Sequence, residues 1–467
     1  MRRERSLPGK NEADIDGRIA AATTLRDRLK QGTGADAVVV GAAETYLAMF
    51  ASDALVRTKD TAAPRFAMLR ELVLAYASHP EPRPDPEHDA RWTNAVWSPT
   101  PRIESAQALP WLAHFRDDAA MAAIERLASD PVPAVRFLLI CDFAWLGEHY
   151  ADRMWTLLER SAATEQNPVV LQGITRVLWN LVRQDRAKSA ALIQQLLRRV
   201  TEAEDDNDEK AETNLFLLVT DFAVVHDEAW AKDTIRAWRE QPVAHATQLA
   251  VVGRRLVAHL KPQTKMAHFE RAQKLLLAHL DSVTEGLAEL QKSQGPREEL
   301  QKKMRQLYGV VDESVTRTYF AADIDSKLKQ RSENPLDDAQ REKFFRDSLP
   351  MLKRILAFGQ NAEIGMLLAP TAHYFMQLLN GVLRYDPPLV LEMAAQVVES
   401  SKRFSYNLDS MALRETVKLV EALLADHRHK IQDAASINNL LSLLDSFVDA
   451  GWPEALQLVW RLDEVYR

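Results

Sequence analysis

The chain has 467 residues, 46% of them hydrophobic and 27% charged, a balance that excludes a disordered or membrane-embedded polypeptide. Its 66 acidic and 59 basic residues leave a net charge of −7, so no global field draws it onto nucleic acid or an anionic surface, although a local basic face stays open. Only 15 glycines are present, too few for the turns of a strand-rich fold, whereas long Ala/Leu/Gln/Glu/Arg-rich stretches favour helix, so an all-α protein is expected.

Residues 1–16 are polar and aperiodic and read as a tail. The charged start is not followed by the apolar core of a secretion signal, and no apolar run approaches the roughly 18 residues of a membrane span, so a cytoplasmic protein is expected. The single cysteine, Cys141, fits a reducing compartment and sits in an apolar run as a buried thiol. Over 17–78 the spacing of Ile19, Leu25 and Leu29, of Val40, Leu47 and Phe50, and of Phe66, Leu69, Leu72 and Val73 predicts three helices. Val38-Val39-Val40 reads as helix through its continuation, and Gly32-Thr33-Gly34 lacks the lysine of a phosphate-binding loop. Pro80, Pro82, Pro84 and Pro86 then make 79–96 an extended connector, with Trp92 and Trp97 expected to pin its far end to the core.

The stretch 97–262 carries the most specific pattern. Met121, Ile124 and Leu127 line one helical face, the run Asp130-Pro131-Val132-Pro133 turns the corner, and Ala134-Val135-Arg136 opens an apolar helix. The proline turn recurs at Asn167-Pro168 and, in part, at Pro99-Thr100-Pro101-Arg102. Asp130, Val135 and Arg136 together resemble the HEAT repeats. That resemblance implies stacked helical pairs and a ladder in which Asp130 accepts hydrogen bonds and Arg136 bridges to the next unit. Two departures are plain: Gly173 replaces the arginine expected after Asn167, and Pro101-Arg102 lacks an upstream aspartate.

Leu276, Leu280, Val283, Leu287 and Leu290, then Leu300, Met304, Leu307 and Val311, alternate four and three apart on either side of Gly295-Pro296. That spacing predicts an antiparallel coiled-coil hairpin over 263–331 with a polar, projecting tip. Helical repeats are expected again over 332–467, closed by a helix from Glu454 to Tyr466. The fold expected is therefore an all-α, HEAT-like helical-repeat solenoid with a hairpin insertion.

The search for chemistry is negative. His427 and His429 flank Arg428 and diverge on a helix, and His259, His268 and His279 match no zinc spacing. The acids Glu202, Glu204, Asp205, Asp206, Asp208 and Glu209 lack the glycine and closing glutamate of a calcium loop. No catalytic motif is found, and no cofactor, metal, membrane or small-molecule ligand is inferred. The function expected is a non-catalytic protein–protein interaction scaffold, or the recognition module of a larger bacterial antiphage-defence assembly. The candidate partner-binding residues are Lys292, Arg297, Lys302 and Lys303 at the hairpin and Arg254 and Arg255 on the repeats. The alternative is a nucleic-acid-binding solenoid that lines a concave groove with such basic residues.

Overall fold

The structure, a computed structural model, describes residues 12–449 apart from Thr33, Ala35, Lys59, 203–208, Pro262, 325–334, 362–366 and 403–409. Among the described residues the regular structure is helical: α1 (Glu12–Gln31), α2 (Ala37–Arg57), α3 (Pro64–Tyr76), α4 (Pro86–Ala90), α5 (Pro101–Ala113), α6 (Asp118–Leu127), α7 (Pro133–Cys141), a 3-10 turn (Phe143–Glu148), α8 (Ala151–Thr164), α9 (Pro168–Leu181), α10 (Arg186–Glu202) and α11 (Glu209–Val224). It continues with α12 (Ala229–Glu240), α13 (Ala246–Ala258), α14 (Met266–Lys292), α15 (Arg297–Ala321), α16 (Asp338–Gly359), α17 (Ala369–Val382), α18 (Pro387–Lys402), α19 (Ser410–Asp426), a 3-10 turn (Arg428–Lys430) and α20 (Ala434–Asp449). The molecule divides into two compact units within α11, between Leu218 and Val219.

Punctuation in the sequence sets these helix starts. Proline stands at the first turn of α3, α5, α7 and α9, where its missing N–H has no helical partner to lose. Asp117 caps α6 by accepting from Ala120 N at 3.0 Å, and Asp337 with Gln340 closes a capping box on α16.

In each unit, alternate helices pack on one another and form two layers. In the first, α2, α5, α7 and α9 stack in succession, with α3, α6, α8 and α10 as their partners on the other side. In the second, α13, α15, α17 and α19 form one layer and α14, α16, α18 and α20 the other. Helix i against helix i+2 is how an array of helical pairs buries a continuous core, since no single pair can cover its own apolar face. The result is a helical-repeat solenoid.

Several details depart from the sequence reading. Helix α1 already begins at Glu12, inside the stretch read as tail. Helix α2 is long and apolar enough, at a mean hydropathy of 1.3, to cross a membrane by length and composition, which the sequence reading did not anticipate. Its C-terminal half, including Leu47, Phe50 and Leu55, is buried as in a core helix, while Val38 and Val39 are 77% and 59% exposed. The hairpin turns at Gly295-Pro296, its two arms pack together, and Leu276, Leu280, Val283, Leu287, Leu290, Leu307 and Val311 are all buried. Its second arm, α15, also packs along α13 and α17, so the body of the hairpin belongs to the stack, whereas every residue from Gln291 to Arg305 is exposed or half-buried. The acidic residues 204–208 and the expected last helix from Glu454 lie outside the described residues.

Candidate interaction site

The site is built on the turns that join the helical pairs of the first unit. Asp130, 7% exposed, accepts from Val132 N at 2.9 Å and so fixes the turn into α7. Arg136, on the first turn of α7, donates through Nη1 to the carbonyls of Asp130 and Pro131 at 2.5 and 3.1 Å. Its other edge reaches forward to the next turn, where Nε and Nη2 meet the Glu165 carboxylate at 2.7 and 2.9 Å. Glu165, also 7% exposed, in turn accepts from the N–H groups of Gln166 and Asn167 at 3.0 and 2.8 Å. Its own carbonyl takes Arg199 Nη2 at 2.6 Å. A planar guanidinium with five donors suits this double duty, because one edge can serve carbonyls while the other pairs with a carboxylate.

Arg102 occupies the same place one pair earlier, in the turn read as a partial copy because it lacks an upstream aspartate. Its Nε lies 2.9 Å from Asp130 Oδ2, and Nη1 and Nη2 donate to the carbonyls of His79, Pro80 and Pro82 at 2.7, 3.1 and 2.6 Å. Backbone carbonyls of the connector stand where a turn aspartate would. The ladder therefore runs from the connector through Arg102, Asp130, Arg136 and Glu165 to Arg199. Sequence reasoning missed Arg102 and Glu165; the signals were an arginine directly after a helix-opening proline and an acid shortly before the next proline turn.

The connector, read from its prolines as extended, contains the short helix α4, which Asp85 caps by accepting from His88 N at 3.1 Å, and lies on this ladder as a strap. Asn167 caps α9 through Oδ1 and uses Nδ2 to reach the carbonyls of Trp92 and Asp89 at 3.1 and 3.5 Å. Arg126 Nη2 donates to Ala77 O at 3.2 Å and Ser78 Oγ at 3.0 Å. Trp92, 8% exposed, and Trp97 both meet the Phe137 ring on α7, with centroids 5.8 and 6.3 Å away. Gly173, the residue replacing the expected arginine, packs against the same ring: a Cβ there would stand 3.0 Å from Phe137 and 3.5 Å from Cys141 Sγ. Most other strap residues from Arg83 to Pro99 are exposed.

A second feature lies at the C-terminal end of α5. Trp111 and Trp145 meet edge-to-face at 4.6 Å, and His114 stacks on Trp111 at 5.5 Å and on His149 at 6.0 Å. Beside them is a cleft of about 300 Å³ lined by Phe66, Arg70, Phe115, Arg116 and Asp117 among others. Within its lining, Arg70 pairs with Asp117, and Asp118 accepts from Tyr150 Oη at 2.8 Å.

The basic residues singled out in the sequence are separated. Arg255 forms a forked pair with Asp221 at 2.7 and 2.6 Å, and His259 Nε2 lies 2.8 Å from the same carboxylate. Burial raises the Asp221 pKa, but the bonds from His259 and Arg255 outweigh that and hold it below the ordinary carboxylate value. Arg254 lies 3.5 Å from Glu313, so the two arginines expected to face a phosphate backbone are instead matched by carboxylates. Lys292 and Arg297 are exposed at the hairpin turn, Lys303 pairs with Glu299 at 3.0 Å, and Lys302 is exposed beside it.

Burial pushes the Cys141 thiol up to about 12, the setting of a packed side chain rather than a nucleophile. His279 is wholly buried, with Nε2 2.6 Å from Leu249 O. Among the described residues no three His, Cys, Asp or Glu side chains converge to hold a metal ion.

The packing defines the class of protein, a helical-repeat solenoid. No family model and no curated protein matches the chain. It is similar to a chain of the structure reporting that Kap95p binding induces the switch loops of RanGDP to adopt the GTP-bound conformation, with 13% identity and a TM-score of 0.33, over 96% of this chain. This chain spans 63% of the length of that one. It is also similar to a circular tandem repeat protein with novel repeat topology and enhanced subunit contact surfaces, with 14% identity and a TM-score of 0.32, over 96% of each chain.

Proposed function

We propose that the protein is an interaction scaffold of HEAT-like helical pairs that holds another protein. One observation carries this reading: its ladder already grips a segment outside the helical pairs, the connector with its short helix α4, through side-chain donors aimed at main-chain carbonyls. Repeat stacks offer long surfaces of this kind because each pair adds the same turn geometry beside the last. The hairpin residues Lys292, Arg297, Lys302 and Lys303 are a second candidate contact, exposed or half-buried and predominantly cationic. A place in a larger bacterial antiphage assembly belongs to the same proposal and would show in the identity of the partner. The nucleic-acid reading is the weaker one, since Arg254 and Arg255 each face a carboxylate.

The test is affinity capture with the full chain from the cytoplasm of the source cell, with and without nuclease. A stoichiometric protein that survives nuclease, and is lost on Lys302→Glu/Lys303→Glu or on changes to the strap, is the expected result. Recovery of nucleic acid, or of partners lost with nuclease, would overturn it.

A further inference from the structure

The chain leaves α5 at Arg116, whose φ of 61° lies in the left-handed region and whose N–H donates to Ala113 O at 2.9 Å. Glycine takes that conformation freely and ends many helices in it, whereas a residue with a Cβ is strained there. Packing returns little for the strain. Arg116 Nε donates to His149 Nδ1 at 3.4 Å, and neither Nη1 nor Nη2 donates to any described residue. Backbone strain of this kind concentrates at sites that hold ligands, and Arg116 lines the cleft at the end of α5.

That cleft, of about 300 Å³, is at the small end of ligand pockets and suits one small molecule. Asp118, two residues from Arg116, also lines it and has capacity to spare: Oδ1 accepts from Tyr150 Oη at 2.8 Å, and Oδ2 accepts from no described residue. The other charged pair of the lining is closed on itself, with Arg70 Nε and Nη2 both on the Asp117 carboxylate and Asp117 Oδ1 also taking Ala120 N. One wall is apolar, where Phe66, 7% exposed, and Phe115, half-buried, meet edge to face at 5.5 Å. Two arginines and two aspartates leave the lining without net charge. An anion alone would meet the Asp118 carboxylate and a cation alone the Arg116 guanidinium. A zwitterion with an apolar side chain matches both charges and the aromatic wall.

We propose that this cleft binds a free α-amino acid with an apolar side chain, its carboxylate on the Arg116 guanidinium, its ammonium on Asp118 and its side chain against Phe115 and Phe66. The site goes beyond the scaffold reading and does not rest on it. A guanidinium suits the carboxylate because its two free nitrogens can meet both oxygens at once.

The probe is L-phenylalanine, titrated calorimetrically into the full chain beside two blocked forms, phenylalaninamide without the carboxylate and N-acetyl-L-phenylalanine without the ammonium. L-phenylalanine is expected to bind one to one, and each blocked form at least roughly tenfold more weakly, because a charged partner is then left unmatched. Arg116→Gly removes the guanidinium and relieves the backbone, which offsets glycine's greater freedom in the unfolded chain. It is expected to keep the melting temperature of the unchanged chain while binding L-phenylalanine at least roughly tenfold more weakly. Asp118→Asn can still accept from Tyr150, and is expected to weaken L-phenylalanine without weakening the N-acetyl form.

No binding of L-phenylalanine by the unchanged chain at millimolar concentration overturns the proposal, and so does equal binding by Arg116→Gly. N-acetyl-L-phenylalanine bound as tightly as L-phenylalanine would overturn it in favour of the C-terminal residue of a peptide. Should Arg116→Gly fail to fold, the blocked ligands and Asp118→Asn decide the matter without it. The titration uses the purified chain alone, so its failure leaves the cellular capture result, and with it the scaffold reading, independently decided.

Discussion

Replacing Arg136 by methionine keeps much of the side-chain length and removes the guanidinium that joins two turns. Two hydrogen bonds to carbonyls and a forked pair to Glu165 disappear together. The Glu165 side chain, 6% exposed, is left as a buried carboxylate with two backbone N–H donors. Breaking a buried pair from one side costs about 3–5 kcal/mol, and the two remaining donors with the 16% exposure of Arg136 place this case near about 3 kcal/mol. The assay is native-state hydrogen exchange at the amides of α7 and α9, which reads the free energy of local opening, combined with Glu165→Gln in a double-mutant cycle. The double variant should recover at least about 1.5 kcal/mol relative to the sum of the singles. Arg153, paired with Glu125 at 41% and 40% exposure, is the control, and Arg153→Met should cost no more than about 1 kcal/mol. An Arg136→Met cost equal to that control, or a cycle without coupling, would refute the view that the ladder fixes adjacent pairs.

Two further outcomes follow from the second unit. Burial holds the His279 imidazole down at about 4 against its usual 6.5, so the unfolded chain takes up a proton that the folded one refuses as pH falls between these values. Stability is therefore full above pH 6.5 and declines toward pH 4, by about 3 kcal/mol for this group, and His279→Gln should flatten that part of the melting-temperature profile. Parallel profiles for the two proteins would show that His279 is not the group responsible. Gly253 sits where α13 and α15 approach closely: a Cβ would meet Val310 Cγ1 at 2.8 Å and the His279 ring at 3.4 Å. Gly253→Ala should cost about 1–3 kcal/mol in urea denaturation, through overpacking between buried helices, and a neutral or stabilising result would show that Val310 moves aside.

Much of this architecture is legible from local chemistry. Proline at helix starts, Asp117 and Asn167 as caps and the apolar stripes are signals read within a few residues, because capping and amphipathicity act over one or two turns. The turn chemistry at Asp130 and Arg136 is visible for the same reason. What the pattern cannot hold is pairing at long sequence separation. Arg102 lacks an aspartate in its own turn, yet joins the ladder through carbonyls 20 to 23 residues earlier in the chain and through Asp130 later in it. Glu165 is recognisable as a ladder residue only once α7 and α9 lie side by side. The exchange of the expected arginine for Gly173 reads as decay of a repeat until Phe137 is found against it, carrying Trp92 and Trp97. Likewise Arg254 and Arg255 read as a basic face until folding brings Glu313 and Asp221 to them. Helices, caps and repeat character follow from the residues of each segment, since these depend on hydrogen bonds and burial periodicity within it. Which charges are spent on neighbours and which side chains hold the proline-rich connector are settled by packing, because those depend on distances between residues that the chain keeps far apart.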